Sequence, residues 1–358
     1  TYLKRKVTRD MPHATQQMGN ASMDSVGLTR ALALDPTFAA LYNGTRLTDD
    51  ESSNDMSLMN YLARYIGRVA DDMIKVFYES PYYASKDAKH KQKCEGREDY
   101  LLRTAENAIA SFFTGYSFDD VGNAAMFADT YGSEFIFTLE WSDWMHWTGQ
   151  KWEGRGELAL QERVVELSDT FRMRCAELRA SGQSPEVLPA MERHSKKFRE
   201  LRSITAVGKL VRSRLMQSAD IFDADPLLVN CQNGIFSIRE NKLLPHDPSA
   251  YCTNMAGANY DPSATCTGWK AFLDKILTSE GAEFLQQCVG MAAVGKVYEE
   301  AMVFMIGHGA NGKSTIANIL SRVFGDYAIT LQPDVITATK DGKTPPDFAC
   351  VRGKRIVF

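Results

Sequence analysis

What this 358-residue chain lacks narrows its possibilities before any motif is considered. Its seven cysteines (Cys94, Cys175, Cys231, Cys252, Cys266, Cys288 and Cys350) include no Cys-x-x-Cys pair. That spacing excludes a zinc-finger ligand set and a disulfide framework, and predicts buried thiols in a reducing compartment. No apolar run reaches the ~18 residues of a membrane span. The apolar tract from Cys288 to Ile306 is interrupted by Lys296, Glu299 and Glu300. Positive charge is not in excess, with 41 Lys and Arg against 45 Asp and Glu, a net −4. A general nucleic-acid-coating protein is thereby excluded, and any such contact has to be a local patch. Repeats, low-complexity tracts and a signal-peptide pattern are missing as well. The chain begins at Thr1 and stops at Arg355-Ile356-Val357-Phe358, within a run that reads as a core strand, so it is expected to be a piece of a longer polypeptide. Hydrophobic residues make up 44%, enough for the cores of two or three domains.

The most informative stretch is Val303-Phe304-Met305-Ile306-Gly307-His308-Gly309-Ala310-Asn311-Gly312-Lys313-Ser314-Thr315. Ala301 to Ile306 reads as a buried strand, and Ile316 to Phe324 as a helix. Between them, Gly307, Gly312, Lys313 and Ser314 satisfy G-x-x-x-x-G-K-[ST], the phosphate-binding loop of nucleotide hydrolases. Glycines let successive backbone N–H groups converge on one anion, and the following helix adds its positive end. Lys313 is the catalytic candidate, reaching the β- and γ-phosphates, while the Ser314 hydroxyl completes a magnesium shell. The nucleotide contacts are assigned to Gly307, Gly309, Ala310, Asn311, Gly312, Lys313, Ser314 and Thr315, with ATP and Mg2+ as cofactors. The bland alternative is a glycine-rich strand-to-helix turn.

Ahead of this loop, residues 1–114 read as a helical domain. An acidic cluster from Asp49 to Asp55 caps a pattern in which Met59, Leu62, Ala63, Ile66, Val69, Met73, Ile74 and Phe77 recur at helical spacing. Gly67 and Asp71-Asp72 divide it into two helices. A lysine-rich link (Lys86, Lys89, Lys91, Lys93) leads to a third, carrying Leu101, Leu102, Ala105, Ala108, Ile109 and Phe112.

Residues 115–266 read as a mixed α+β domain. Phe135 to Leu139 is strand-like, and Trp141, Trp144, Trp147 and Trp152 flank the turn Thr148-Gly149-Gln150, which predicts a hairpin with aromatic cross-strand pairs. These rings beside Lys151 suit either packing or base stacking. An amphipathic helix from Glu157 to Ala180, with Leu158, Val164, Val165, Leu167, Phe171, Cys175 and Leu178, ends at Ser181-Gly182. Pro185 and Pro189 fall in the connection that follows. From Met191 to Gln217 a helical stretch carries Arg193, Lys196, Lys197, Arg199, Arg202, Lys209, Arg212 and Arg214 against Glu192 and Glu200, a net +6. On an acidic chain it is the candidate contact for a phosphate backbone, or else a solvated face. Short strands follow at Leu227 to Asn230, Gly234 to Ile238 and Lys242 to Leu244. Helices are predicted at Trp269 to Leu277 and Ala282 to Gly290. Gly325 caps the helix after the loop, Pro345-Pro346 opens a short helix, and Lys354 to Phe358 begins a strand.

In this order the pieces resemble the phage- and plasmid-type primase–helicases, relatives of the poxvirus primase–helicase within helicase superfamily 3. Asn54-Asp55 through Phe77-Tyr78-Glu79-Ser80, with Tyr100 to Ala105, resembles the helical segment after the primase. Gly122-Asn123-Ala124, Phe127-Ala128 and the tryptophan cluster resemble the opening of the domain preceding the helicase. Asp225-Pro226, Asn233-Gly234-Ile235, Leu244-Pro245-His246 and Tyr260-Asp261-Pro262 with Trp269 resemble its end. The loop from Gly307 to Thr315 is similar to this family's version, with its Asn before Gly-Lys.

The resemblance implies a multidomain α+β and α/β protein. Residues 267–358 would hold a helical collar and part of a P-loop (AAA+-like) αβα ATPase core. It further implies an ATP-dependent replicative DNA helicase on single-stranded or forked DNA, a ring, commonly a hexamer, and contact with other replication proteins. No membrane partner is implied, and the place of action would be the host cytoplasm, for a phage, plasmid or virus genome. Two alternatives stay open: a P-loop enzyme of another kind, such as a nucleotide kinase, and a non-catalytic DNA-docking or oligomerisation module.

Overall fold

The computed structural model describes residues 28, 31–32, 35–66, 68–96, 99–182, 186–298, 302–309, 311–331 and 348–358. Gly67, Pro185, Glu299, Glu300, Ala301, Ala310 and Pro345-Pro346, all named above, lie outside them. The chain divides into two compact units, Thr1–Ile109 and Ala110–Phe358.

Among its described residues the first unit is helical: α1 (Pro36–Tyr42), α2 (Glu51–Tyr65), α3 (Ala70–Glu79), α4 (Pro81–Ala84), α5 (Ala88–Gly96) and the larger part of α6 (Tyr100–Thr114). Asp50 starts α2 because its carboxylate accepts from the Ser52 and Ser53 N–H groups, which have no partner inside the helix. Met59, Leu62, Ala63, Met73 and Phe77 lie in the core, as their spacing predicts. Val69 does not. It is the residue just before α3 and stands 56% exposed. The lysine-rich link is also corrected, since Ala88–Gly96 is helical.

A buried ionic cluster stands where only caps and a link were expected. Lys86 Nζ lies 2.7 Å from Asp55 Oδ1 and 2.6 Å from Glu51 Oε2. The Asp55 carboxylate also accepts from Tyr82 and Tyr100, each at 2.8 Å. Asp55 is 2% exposed and Lys86 5%. Burial alone pushes the Glu51 carboxyl up, but the Lys86 bond and charge, with Arg46, hold it below the usual range. Burial likewise disfavours the Lys86 ammonium, yet its two carboxylate partners raise it overall.

In the second unit, α7 (Asp120–Tyr131) leads to β1 (Phe135–Thr138), β2 (Asp143–Trp147) and β3 (Trp152–Glu153). After α8 (Glu157–Ser181), α9 (Leu188–Phe198) and α10 (Leu201–Val211), β4 (Met216–Gln217) returns beside β1 in parallel, giving the order β3-β2-β1-β4. β1 is buried throughout, because side chains alternate between two covered faces. Phe135, Phe137 and Trp144 face the helical core, whereas Ile136, Met145 and Trp152 join Phe222 in another cluster. The tryptophan hairpin forms with Trp147 opposite Trp152. Trp144 and Trp152 are packed inside, and the Trp152 indole donates to the Pro248 carbonyl at 2.9 Å. Packing therefore decides the role of these two rings.

Helix α8 buries Leu160, Val164, Leu167, Phe171, Cys175 and Leu178, an unbroken three-and-four stripe, and ends where Gly182 adopts φ +67°. Leu158 and Val165, expected on this face, fall out of phase and are exposed. Of the thiols, Cys94, Cys175, Cys231 and Cys252 are buried, but Cys266 and Cys350 are exposed. No helix among the described residues is long and apolar enough to cross a membrane.

Gly122-Asn123 ties three helices together. A Cβ on Gly122 would meet the Ser117 carbonyl oxygen at 1.9 Å, so only glycine lets the chain turn into α7. At the next residue, the side-chain amide oxygen of Asn123, Oδ1, accepts from His194 Nε2 of α9 at 2.8 Å. Ser203 of α10 donates to Asp120. His194 is stacked on Phe118 and Phe198. Burial holds its imidazole below the ordinary value, with Lys197 acting in the same sense and Asp119 and Asp120 against it.

Two outcomes follow. Lys86→Ala leaves two buried carboxylates without their cation, and should destabilise the first unit by about 3–5 kcal/mol. The urea dependence of hydrogen exchange in α2 and α6 measures it. For His194 the folded value lies below the unfolded one, so the unfolded chain takes up the proton first as pH falls. Stability is therefore complete above about pH 6.5 and is lost as pH drops toward the folded value. Unfolding midpoints of the second unit at pH 7.5 and 5.5 should differ less in His194→Gln, which keeps an N–H donor for Asn123.

Candidate nucleotide-binding site

Two short sheets and three helices build the region around the glycine loop. β5 (Leu228–Cys231), β6 (Gly234–Ser237) and β7 (Lys242–Leu244) form an antiparallel meander, as their turn signals predict. α11 (Thr267–Ile276) and α12 (Ser279–Ala293) precede the loop, and α13 (Lys313–Phe324) follows it. β8 (Ala328–Ile329) then pairs in parallel with β9 (Ile356–Val357).

Lys313 is the first residue of α13. Gly312 precedes it in the left-handed region (φ +86°), and no side chain caps the helix. The first N–H groups of α13 thus lack both an intrahelical acceptor and a cap, the arrangement that suits an anion. A Cβ on Gly312 would come within 2.9 Å of Ile276 and 3.0 Å of Phe272, so this glycine also admits the close approach of α11. Ser314 and Thr315 are exposed in the first turn, and a Cβ on Gly309 would stand in open space. Lys313 Nζ donates to the carbonyls of Gly307 (2.9 Å) and His308 (3.2 Å) and to Asn311 Oδ1 (2.7 Å). The structure therefore gathers Gly307, Asn311, Gly312, Lys313, Ser314 and Thr315 at one helix start. Ala310 lies outside the described residues.

The strand expected before the loop is not found. Residues 302–308 have no strand partner among the described residues. Phe304 is 74% exposed and Ile306 92%. An apolar run becomes a strand only when neighbouring strands take its N–H and C=O groups and a layer covers its faces. The nearest parallel pair, β8 and β9, does not include it. A groove of about 500 Å3 between α11 and α12, lined by Trp269, Leu273, Leu285 and Val289, shares no lining residue with the loop.

The other end of α13 is held firmly. Ile316, Leu320 and Phe324 face inward at four-residue spacing. Gly325 then takes φ +54°, as a terminating glycine should. Gly257 N donates to Val323 O at 3.0 Å, and a Cβ on Gly257 would meet the Arg322 carbonyl oxygen at 1.9 Å. Asp326 accepts from Lys151 Nζ at 2.8 Å and from Met255 N at 3.2 Å. Burial disfavours the Lys151 ammonium, but Asp326 and Glu153 raise it above its ordinary value. The Tyr327 hydroxyl accepts from Asn230 N at 3.0 Å, and burial pushes this phenol up. Lys354 bridges Asn254 Oδ1 and the Asp326 carbonyl at 2.7 and 2.6 Å. Nothing in the spacing of Lys151, Asn230 or Asp326 announces these contacts, because their partners are far away in sequence.

The basic stretch differs from the single helix expected. It divides at Glu200, whose backbone is extended, into α9 and α10, and its last residues form β4. Arg193, Lys196 and Lys197 are exposed on one side of α9, opposite the buried Met191, His194, Ser195 and Phe198. Arg202, Lys209 and Arg214 are exposed as well. Arg199 pairs with Asp169 at 3.3 Å, and the Arg212 guanidinium sits 4.9 Å over the Phe137 ring. Lys196, Lys197, Arg202 and Lys209 have no acidic partner within ion-pair distance among the described residues.

A search of curated proteins returns no match. Residues 124–278 match the family model described as D5 N terminal like. That segment opens at Ala124 beside the Asn123 lock and closes between α11 and α12. The middle of this chain is thus similar to the D5-type N-terminal region found in primase–helicase-like viral and phage proteins.

Proposed function

We propose that this chain is the nucleotide-binding part of a DNA helicase of the primase–helicase type, a P-loop ATPase of superfamily 3 that works as a ring on DNA. The observation that carries the reading is the uncapped start of α13. There Lys313 and exposed Ser314 follow a left-handed Gly312, on the same compact unit as the D5-like segment. The donor set fits a magnesium-bound triphosphate. Backbone N–H groups of the loop and first turn would hold phosphate oxygens, Lys313 would place its charge on the β- and γ-phosphates, and the Ser314 hydroxyl would complete the magnesium shell. The bound metal would neutralise charge developing as water attacks the γ-phosphate. A carboxylate orienting that water and an arginine acting between subunits belong to the same chemistry, and neither role is assigned to a described residue.

The DNA partner finds its support in the exposed cations of α9 and α10. They are concentrated on a chain of net −4, and Lys196, Lys197, Arg202 and Lys209 have no acidic partner within ion-pair distance among the described residues. Their place within the D5-like segment favours a phosphate backbone over a solvated face.

Lys313→Ala should abolish detectable binding of magnesium-ATP in equilibrium titration, since the γ-phosphate loses its countercharge. Unchanged affinity would sink the nucleotide reading. For the basic face, Lys196→Ala/Lys197→Ala/Arg202→Ala should weaken DNA binding whatever the sequence. It should also lower the slope of log affinity against log salt by about 0.7–0.9 for each phosphate no longer neutralised. An identical slope would return these charges to the solvent.

A further inference from the structure

The ammonium of Lys313 is fully engaged by oxygens of its own loop. It has three N–H donors and three acceptors, at 2.7, 2.9 and 3.2 Å. Two of those acceptors are backbone carbonyls, of Gly307 and His308, which any sequence would supply. The third and nearest is a side chain, the amide oxygen of Asn311.

Asn311 reaches that position through a gap that Gly307 leaves open. Its Nδ2 lies 2.0 Å from where a Cβ on Gly307 would stand, closer than any side chain could tolerate. Gly307 therefore serves more than phosphate access: its bare Cα makes room for the asparagine that holds the lysine. The side chain is also suited by its neutrality. An aspartate in the same place would face the ammonium with a full negative charge and hold it more strongly, whereas alanine would offer no acceptor.

We propose that Asn311 is the positioning residue of this site, holding the Lys313 ammonium inside the loop so that a triphosphate must take the lysine from it. The proposal rests on the phosphate-loop reading above and adds a direction to it. Asn311 acts through Lys313, and it opposes binding. In Asn311→Ala water replaces most of the lost ammonium bond, so its removal corresponds to a tightening of about two- to tenfold.

Two measurements test it. The first needs no nucleotide: the rate at which an amine-acylating reagent modifies Lys313, followed by peptide mass spectrometry. Asn311→Ala should speed this reaction and Asn311→Asp should slow it, while lysines elsewhere, such as Lys270, keep their rates. The second is the affinity of inorganic triphosphate with magnesium. Asn311→Ala should bind about two- to tenfold more tightly than the unaltered chain, and Asn311→Asp at least ~10-fold more weakly. Tighter binding together with faster acylation supports the proposal. Unchanged or slower acylation of Lys313 in Asn311→Ala overturns it, as does weaker triphosphate binding by that variant, which would make Asn311 a phosphate ligand. If the unaltered chain binds no triphosphate, the phosphate-loop reading falls and takes the competition with it. If that chain binds and Lys313→Ala does not, while Asn311→Ala matches the unaltered chain, the phosphate loop stands and the role of Asn311 alone is refuted.

Discussion

The backbone contact between Gly257 and the end of α13 is the constraint on which the candidate site depends. At this point two chain segments approach so closely that a single added carbon would strike the Arg322 carbonyl oxygen. Because Gly325 reverses the chain immediately afterwards, Asp326 and Tyr327 are delivered to Lys151, Met255 and Asn230. The helix that presents Lys313 is thereby anchored at its C-terminal end to strands and loops of the D5-like segment. Its N-terminal end is left uncapped. A helix held in this way carries its open end as a fixed donor set, and fixed donors cost little reorganisation when an anion arrives.

Polar groups organise the rest of the second unit in a similar manner. Asn123 is a short side chain with both an acceptor and donors, so it links α7 to α9 through His194. The consequence is that Met191, His194, Ser195 and Phe198 all turn inward. The cations interleaved with them at Arg193, Lys196 and Lys197 must then turn outward, since a helix that buries one side presents the other. Packing of an uncharged face thus creates the charged one. In the first unit the order is reversed: Lys86, Glu51 and Asp55 are themselves inside, and they are tolerated only because each charge meets another along with tyrosine hydroxyls.

Much of this is legible in the residues alone. The stripe from Leu160 to Leu178 repeats at the helical period, so its existence needs no partner to be recognised. Gly182 and Gly325 stand where a left-handed residue must end a helix, and the turn between Trp147 and Trp152 predicts their pairing. Where reading by spacing fails, the deciding influence is non-local. Leu158 and Val165 are as apolar as Val164, and which of them is buried is decided by the side of α8 that α9, α10 and β2 cover. Met302 to Ile306 has strand composition, but a strand exists only by pairing, and no described neighbour pairs with it.

Local chemistry is therefore written into the order of residues: a glycine loop before a lysine and a hydroxyl, a cluster of cations on an acidic chain, and helices wherever apolar residues recur at three and four. These are short-range properties, set by backbone sterics and by periodicity within one segment. Folding alone settles that Lys86 is buried, that Lys151 belongs to Asp326, that the basic stretch bends at Glu200, and that Asn311 lies in the place of a Gly307 side chain. The bonds from Lys86 to Glu51 and from Lys151 to Asp326 span 35 and 175 positions, distances over which no periodicity in the chain carries information. The bend at Glu200 and the seat of Asn311 are local, but the helices on either side of Glu200 each pack on α8, and the bare Cα of Gly307 makes room for Asn311. For Lys86, Lys151 and Asn311 the physical reason is common: the cost of burying or crowding a polar group depends on partners that exist only after the chain has folded.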